Sequence, residues 1–187
     1  MKKKIFTISL SVAFLGGIIS CNAQKTDPGT EISTQEDGKM LLGNHEVTKF
    51  VSPPYNTWFS PEYANYKTDT KSIEELKKSK FDHYNLTIFV GTWCEDSHRE
   101  FPRLMKILDE IGYPSENLNI IALDRDKKSP NKEEINQNIE RVPTIILSKK
   151  FDNKGNIIKD LKELGRIVEF PESGWLERDL LKIINQK

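Results

Sequence analysis

The stretch that most constrains this chain runs from Leu86 to Leu108, where the hydrophobic period changes within a few residues. Leu86-Thr87-Ile88-Phe89-Val90 is an apolar run of β-formers closed by Gly91, the pattern of a buried strand. Beyond it Phe101, Leu104, Met105, Leu108 and Ile111 recur at helical spacing. The join is Trp93-Cys94-Glu95-Asp96-Ser97, which sets one thiol at the end of a strand and the mouth of a helix. Unpaired backbone N–H groups and the positive end of the helix dipole favour a thiolate there.

The neighbours of that thiol pull in both directions. A Ser97 hydroxyl three residues on would hydrogen-bond the thiolate, and a protonated His98 would add to it. Glu95 and Asp96 oppose a second negative charge. Glu95 is expected to compensate the helix dipole; Asp96 either does the same or relays a proton. His98 is expected on a solvated helix face. Cys94 itself is either a reactive nucleophile or a buried, inert thiol.

Trp93-Cys94-x-x-Ser97, with Pro102 eight residues past the cysteine, resembles the active-site turn of the thioredoxin superfamily. Arg141-Val142-Pro143-Thr144, ahead of the run Thr144 to Leu147, resembles that family's cis-proline loop. The resemblance covers roughly residues 72–187 and implies a loop facing the reactive cysteine, with Trp93, Val142, Pro143 and Thr144 at the substrate edge. A cis bond would turn the Val142 backbone towards Cys94, where it could pair with an extended substrate. The second cysteine of the family pattern is replaced by Ser97.

The beginning of the chain reads as a leader. Lys2, Lys3 and Lys4 precede an apolar run from Ile5 to Ile19, so residues 1–20 are expected to be a signal peptide. Ile18-Ile19-Ser20-Cys21 resembles a bacterial lipobox, which implies a lipidated Cys21 and a membrane anchor, each buried CH₂ adding ~0.8 kcal/mol. The open alternatives are an ordinary cleaved signal or an uncleaved anchor. Residues 21–45, polar and glycine-containing, are expected to be a flexible linker. The domain is then expected over residues 46–187, opening with an aromatic extension (46–70) that packs onto it. The implied location is the bacterial cell envelope, facing the periplasm or the cell surface.

Further elements follow from local signals. Ser60-Pro61-Glu62 predicts a helix start, as does Ser72 with Glu75 in a capping box. Asn119 to Leu123 predicts a strand, residues 132–139 a short helix and Thr144 to Leu147 another strand. Leu164 to Phe170 predicts an antiparallel return, and a last helix begins at Ser173-Gly174-Trp175. The expected fold is α/β: a thioredoxin-like three-layer α/β/α sandwich with a central mixed sheet.

Composition narrows the function. With 28 basic and 28 acidic residues, a general nucleic-acid binder is not expected. Cys21 and Cys94 are the only cysteines, so acylation of Cys21 leaves one thiol and no internal disulfide. What remains is monothiol exchange: Cys94 attacks a disulfide of an exported protein or small molecule, and an external thiol reductant releases the mixed disulfide. Thr92 lies two residues before Cys94, not three as in the peroxidase pattern, which disfavours peroxide reduction. The alternative is a non-catalytic binding module using the same cleft. A metal site from Cys94, Asp96 and His98 lacks a second ligand cluster, so neither metal nor cofactor is expected. The chain is expected to be a monomer.

Overall fold

A computed structural model describes residues 28–151, 156–158 and 162–186. The expected signal peptide and lipidated Cys21 lie outside the described residues. The elements in order are β1 (Thr30–Thr34), β2 (Gly38–Asn44), α1 (Val47–Phe50), α2 (Asn56–Asn65), α3 (Thr70–Lys78) and β3 (Tyr84–Val90). They continue as α4 (Glu95–Ile111), β4 (Leu118–Ala122), β5 (Thr144–Lys149), β6 (Glu163–Val168) and α5 (Leu176–Asn185). The six strands form one mixed sheet in the order β1-β2-β4-β3-β5-β6. Only β3 and β4 run parallel; β1–β2, β2–β4, β3–β5 and β5–β6 are antiparallel.

The sheet separates two cores of unequal size. Leu86, Ile88 and Val90 of β3 alternate with Thr87 and Phe89, so the strand shows one side chain in two to each face. The first set joins Ile120, Ile145 and Leu147 in the main core, to which α1 through α5 all contribute. Phe50, Phe59 and Phe101 meet there edge to face, with Phe101 at 4.8 Å from Phe50 and 5.5 Å from Phe59. The aromatic extension is therefore core, since Phe50, Tyr55 and Phe59 are buried. The opposite face carries a smaller cluster of Phe89, Ile121, Leu123, Val142 and Ile146.

That second face departs from the expected three layers. The helix expected over residues 132–139 is absent, and turns occupy that stretch. Lys132, Asn136 and Asn138 have positive φ, and a left-handed residue every few positions prevents consecutive helical bonds. All five described helices contribute to the one core, leaving the other face to an irregular segment.

The linker expected over 21–45 is corrected for its described part. Residues 30–44 form a β-hairpin that extends the sheet, with Asn44 beside Ile121 and Gly43 beside Ala122. Met40 and Leu41 supply buried apolar surface, and the Asp37 N–H donates to Thr34 Oγ1 at 2.9 Å to close the turn. The ordered domain thus begins before residue 46. A Cβ on Gly29 would lie 2.6 Å from both the Asn44 and Leu42 carbonyl oxygens. Gly29→Ala is expected to cost about 1–3 kcal/mol, as overpacking against backbone does; an unchanged urea midpoint would contradict this seating of the hairpin.

Two helix starts also differ. Helix α2 begins at Asn56, four residues before the Ser60-Pro61 signal, and carries Pro61 inside it. Helix α3 is capped by Asp69, whose carboxylate accepts the Ser72 N–H at 2.8 Å, so Ser72 is a donor within the first turn and not the cap. Arg178 beside it, with the Ser72 bonds, holds the Asp69 carboxyl down to about 2.

Candidate active site

Topology brings the cysteine and the prolyl loop together. Phe89 lies opposite Thr144, so the end of β3 adjoins the start of the antiparallel β5. Past β3 the chain turns at Gly91, where a Cβ would come within 2.8 Å of the Trp93 ring. The Cys94 N–H bonds the Gly91 carbonyl at 3.0 Å, and Cys94 becomes the N-cap of α4. Its own carbonyl accepts the His98 N–H at 3.0 Å, the first bond of that helix.

The Val142–Pro143 peptide is cis, and its loop faces the sulfur. Cys94 Sγ lies 3.2 Å from the Val142 carbonyl oxygen, with the thiol donating. Cys94 is a free thiol and half-buried. The Val142 N–H has no partner among the described residues. Thr144 is buried and donates its hydroxyl to the Arg141 carbonyl at 2.7 Å, which fixes the loop from below.

Trp93 closes one side. Its Nε1 donates to the Leu123 carbonyl at 2.9 Å, and its ring lies 5.0 Å from the Arg125 guanidinium and 5.6 Å from Lys127 Nζ. Arg125 is itself held by Asp37 of the hairpin, Nε to Oδ2 at 3.1 Å and Nη2 to Oδ1 at 2.5 Å. Asp37 was not visible as a site neighbour from the sequence, although Asp37-Gly38 is a hairpin-turn signal.

Ser97 does not serve the expected role of thiolate partner. Its Oγ is buried and accepts the Gly91 N–H at 3.1 Å, tying the first turn of α4 to the end of β3. Ser97→Ala would leave that buried N–H unpaired, an expected loss of about 1–3 kcal/mol. The rate of Cys94 alkylation is expected to stay at the wild-type level. A large fall in alkylation without loss of stability would restore Ser97 to the sulfur.

Asp96 is directed to Arg99, Oδ1 to Nη2 at 2.7 Å, and makes no hydrogen bond to Cys94. Arg99 and Arg103 also hold Glu100, which is 3% exposed and keeps one carboxylate oxygen without a donor. Arg103 reaches Glu62 at 2.6 Å, so this chain of charges clamps α2 to α4.

His98 is not solvated. Its ring stacks on Trp58 at 4.3 Å, and Nε2–H donates to the Thr92 carbonyl at 2.8 Å. That nitrogen is therefore committed, and His98, Asp96 and Cys94 are not gathered around one point; no metal-binding group of His, Cys, Asp or Glu occurs among the described residues. Burial holds the His98 imidazole below its ordinary 6.5, against the opposing Thr92 bond; burial acts likewise on His45. The unfolded chain then binds more protons than the folded one just below 6.5, so this stability is complete above that pH and declines as pH falls through it. Glu31 and Asp69, both held near 2, release their contributions only at lower pH. Unfolding free energy is expected to fall from pH 7 to 5, with a shallower slope in His98→Phe; identical slopes would contradict a half-buried, neutral His98.

Away from this turn, an apolar cavity of about 300 Å³ lies among α1, α2 and α4, lined by Val51, Phe59, Tyr63 and Met105 among others. None of its lining residues belongs to the cysteine turn or the prolyl loop. No described helix is long and apolar enough to cross a membrane.

No family model and no curated protein matches the chain. Among solved structures, a protein of unknown function from Pseudomonas aeruginosa is similar in fold, with a TM-score of 0.50 and 15% identity over 75% of this chain and 90% of that one. An HIV epitope-scaffold gives a TM-score of 0.49 at 14% identity, again covering 75% of this chain and 90% of its own. The first likeness is one of fold.

Proposed function

We propose that this chain is a thioredoxin-like thiol–disulfide exchange protein with Cys94 as its single nucleophile. The observation that carries the reading is the half-buried thiol at the mouth of α4, 3.2 Å from the carbonyl of a cis-prolyl peptide. The Val142 carbonyl accepts the S–H at rest, and loss of that proton to solvent gives the attacking thiolate. The thiolate attacks a substrate disulfide R–S–S–R′, forming Cys94–S–S–R and releasing R′S⁻. An external thiolate R″S⁻ then attacks that bond, returning the Cys94 thiolate and R–S–S–R″. No second protein cysteine is needed. The unpartnered Val142 N–H, together with its carbonyl, offers an extended substrate one residue of strand pairing.

Exported proteins or small disulfides are the proposed substrates, and the cell envelope is the proposed site of action, through a lipid anchor on Cys21. A non-catalytic peptide-binding module is the second reading. Ser97, which accepts the Gly91 N–H and makes no hydrogen bond to the sulfur, favours it. Capture of disulfide-bearing proteins separates the two. Exchange requires that partners held by the wild-type protein be released by dithiothreitol and be lost with Cys94→Ser. A binding module would hold them equally in both forms.

A further inference from the structure

Opposite the main core, on the sheet face that no described helix covers, lies a second cleft of about 280 Å³. Its lining includes no residue of the cysteine turn or the prolyl loop, although its floor belongs to the cluster against which Cys94 packs. Its floor is apolar, from Phe89, Ile121 and Ile146. Its walls are polar in a way a solvated edge would not require. Thr87 and Asn119 are direct cross-strand partners on the central strands β3 and β4. Asn44 approaches from β2 and Ser148 from β5, while Gln137 and Glu133 overhang from the irregular segment.

The side chains of Thr87, Asn119, Asn44, Ser148 and Gln137 make no hydrogen bond to other described residues and keep their polar atoms open to solvent, Gln137 being exposed. Ser148 is only 8% exposed as a residue, while its hydroxyl stays open to the cleft. Glu133 keeps Oε2 withdrawn from solvent and without a donor. Polar groups open to a cleft over an apolar floor suit a ligand that replaces their hydration with its own hydroxyls and rests an apolar face on the floor.

We infer that this cleft binds a neutral, hydroxyl-rich molecule of about monosaccharide size. No Lys, Arg or His lines it, so nothing there neutralises an anion. A simple amine would satisfy Glu133 and leave the amides and hydroxyls unpaired. A sugar ring suits this mixed lining, with hydroxyls towards Asn119, Thr87 and Glu133 and its C–H face on Phe89 and the two isoleucines.

Saturation-transfer NMR with D-glucose, D-mannose and N-acetyl-D-glucosamine, each offered separately to the full chain, tests the inference. At least one sugar is expected to receive saturation at its ring protons. Glu133→Gln and Asn119→Leu are each expected to weaken its binding roughly tenfold, as loss of a hydrogen bond to a charged or buried group does. Glu133 sits on the peripheral segment, so its variant reports even where Asn119→Leu fails to fold. No transfer to any of the three sugars would overturn the inference, and so would equal transfer in wild type and Glu133→Gln.

Discussion

Cys94→Ser is expected to abolish disulfide exchange while leaving the fold intact. The loss is total and not partial, because a chain whose Cys21 is acylated or replaced contains no other sulfur nucleophile. The fold survives because serine is smaller than cysteine and keeps a hydroxyl for the Val142 carbonyl that now accepts the thiol at 3.2 Å. Reduction of a fluorescent peptide disulfide by excess external thiol, followed with both forms at equal concentration, reads the effect. The variant should run at the rate of the external thiol alone. A variant with any exchange rate above that background would move the chemistry away from Cys94.

The largest expected loss of stability is at Phe101. Its ring is fully buried and packs edge to face against Phe50 and Phe59, which arrive from α1 and α2. It therefore joins the helix that carries Cys94 to the aromatic segment that precedes α3. Phe101→Ala removes that contact and opens a cavity that backbone held by the Glu62–Arg103–Glu100 clamp cannot collapse into. An expected cost of about 3–5 kcal/mol follows for a buried phenylalanine. Urea unfolding of the variant beside wild type measures it. A cost well below 2 kcal/mol, on the scale of a tolerated hydrophobic swap, would show that the aromatic cluster is loosely packed.

What could be read in advance divides along local and long-range lines. The strand–turn–helix from Leu86 onward and the prolyl turn before Thr144 are written in neighbouring residues, and both stand where their patterns place them. The hairpin of residues 30–44 was hidden because its apolar content is short and set among polar residues. Thr30, Ile32 and Thr34 alternate as a strand should, and Asp37-Gly38 marks the turn. His98 could not be read as half-buried, since the Trp58 ring that stacks on it comes from a helix far upstream. Ser97 follows the same rule: the C-x-x-S spacing offers its hydroxyl to the sulfur, yet the side chain turns to accept the N–H at the end of the preceding strand and makes no hydrogen bond to Cys94. The missing helix at 132–139 had adequate polar composition, but three residues with positive φ turned it into successive turns.

The reactive Cys94 is tested most directly by counting leaving groups. The chain bearing Cys21→Ser is mixed, folded, with an aromatic disulfide whose released thiolate is coloured, and dithiothreitol is then added. Release of one thiolate per chain, a matching mass increase on Cys94 and full reversal by dithiothreitol are the expected results. Release that occurs only after unfolding in guanidinium would contradict the account, because the thiol would then be a packed group and not a nucleophile.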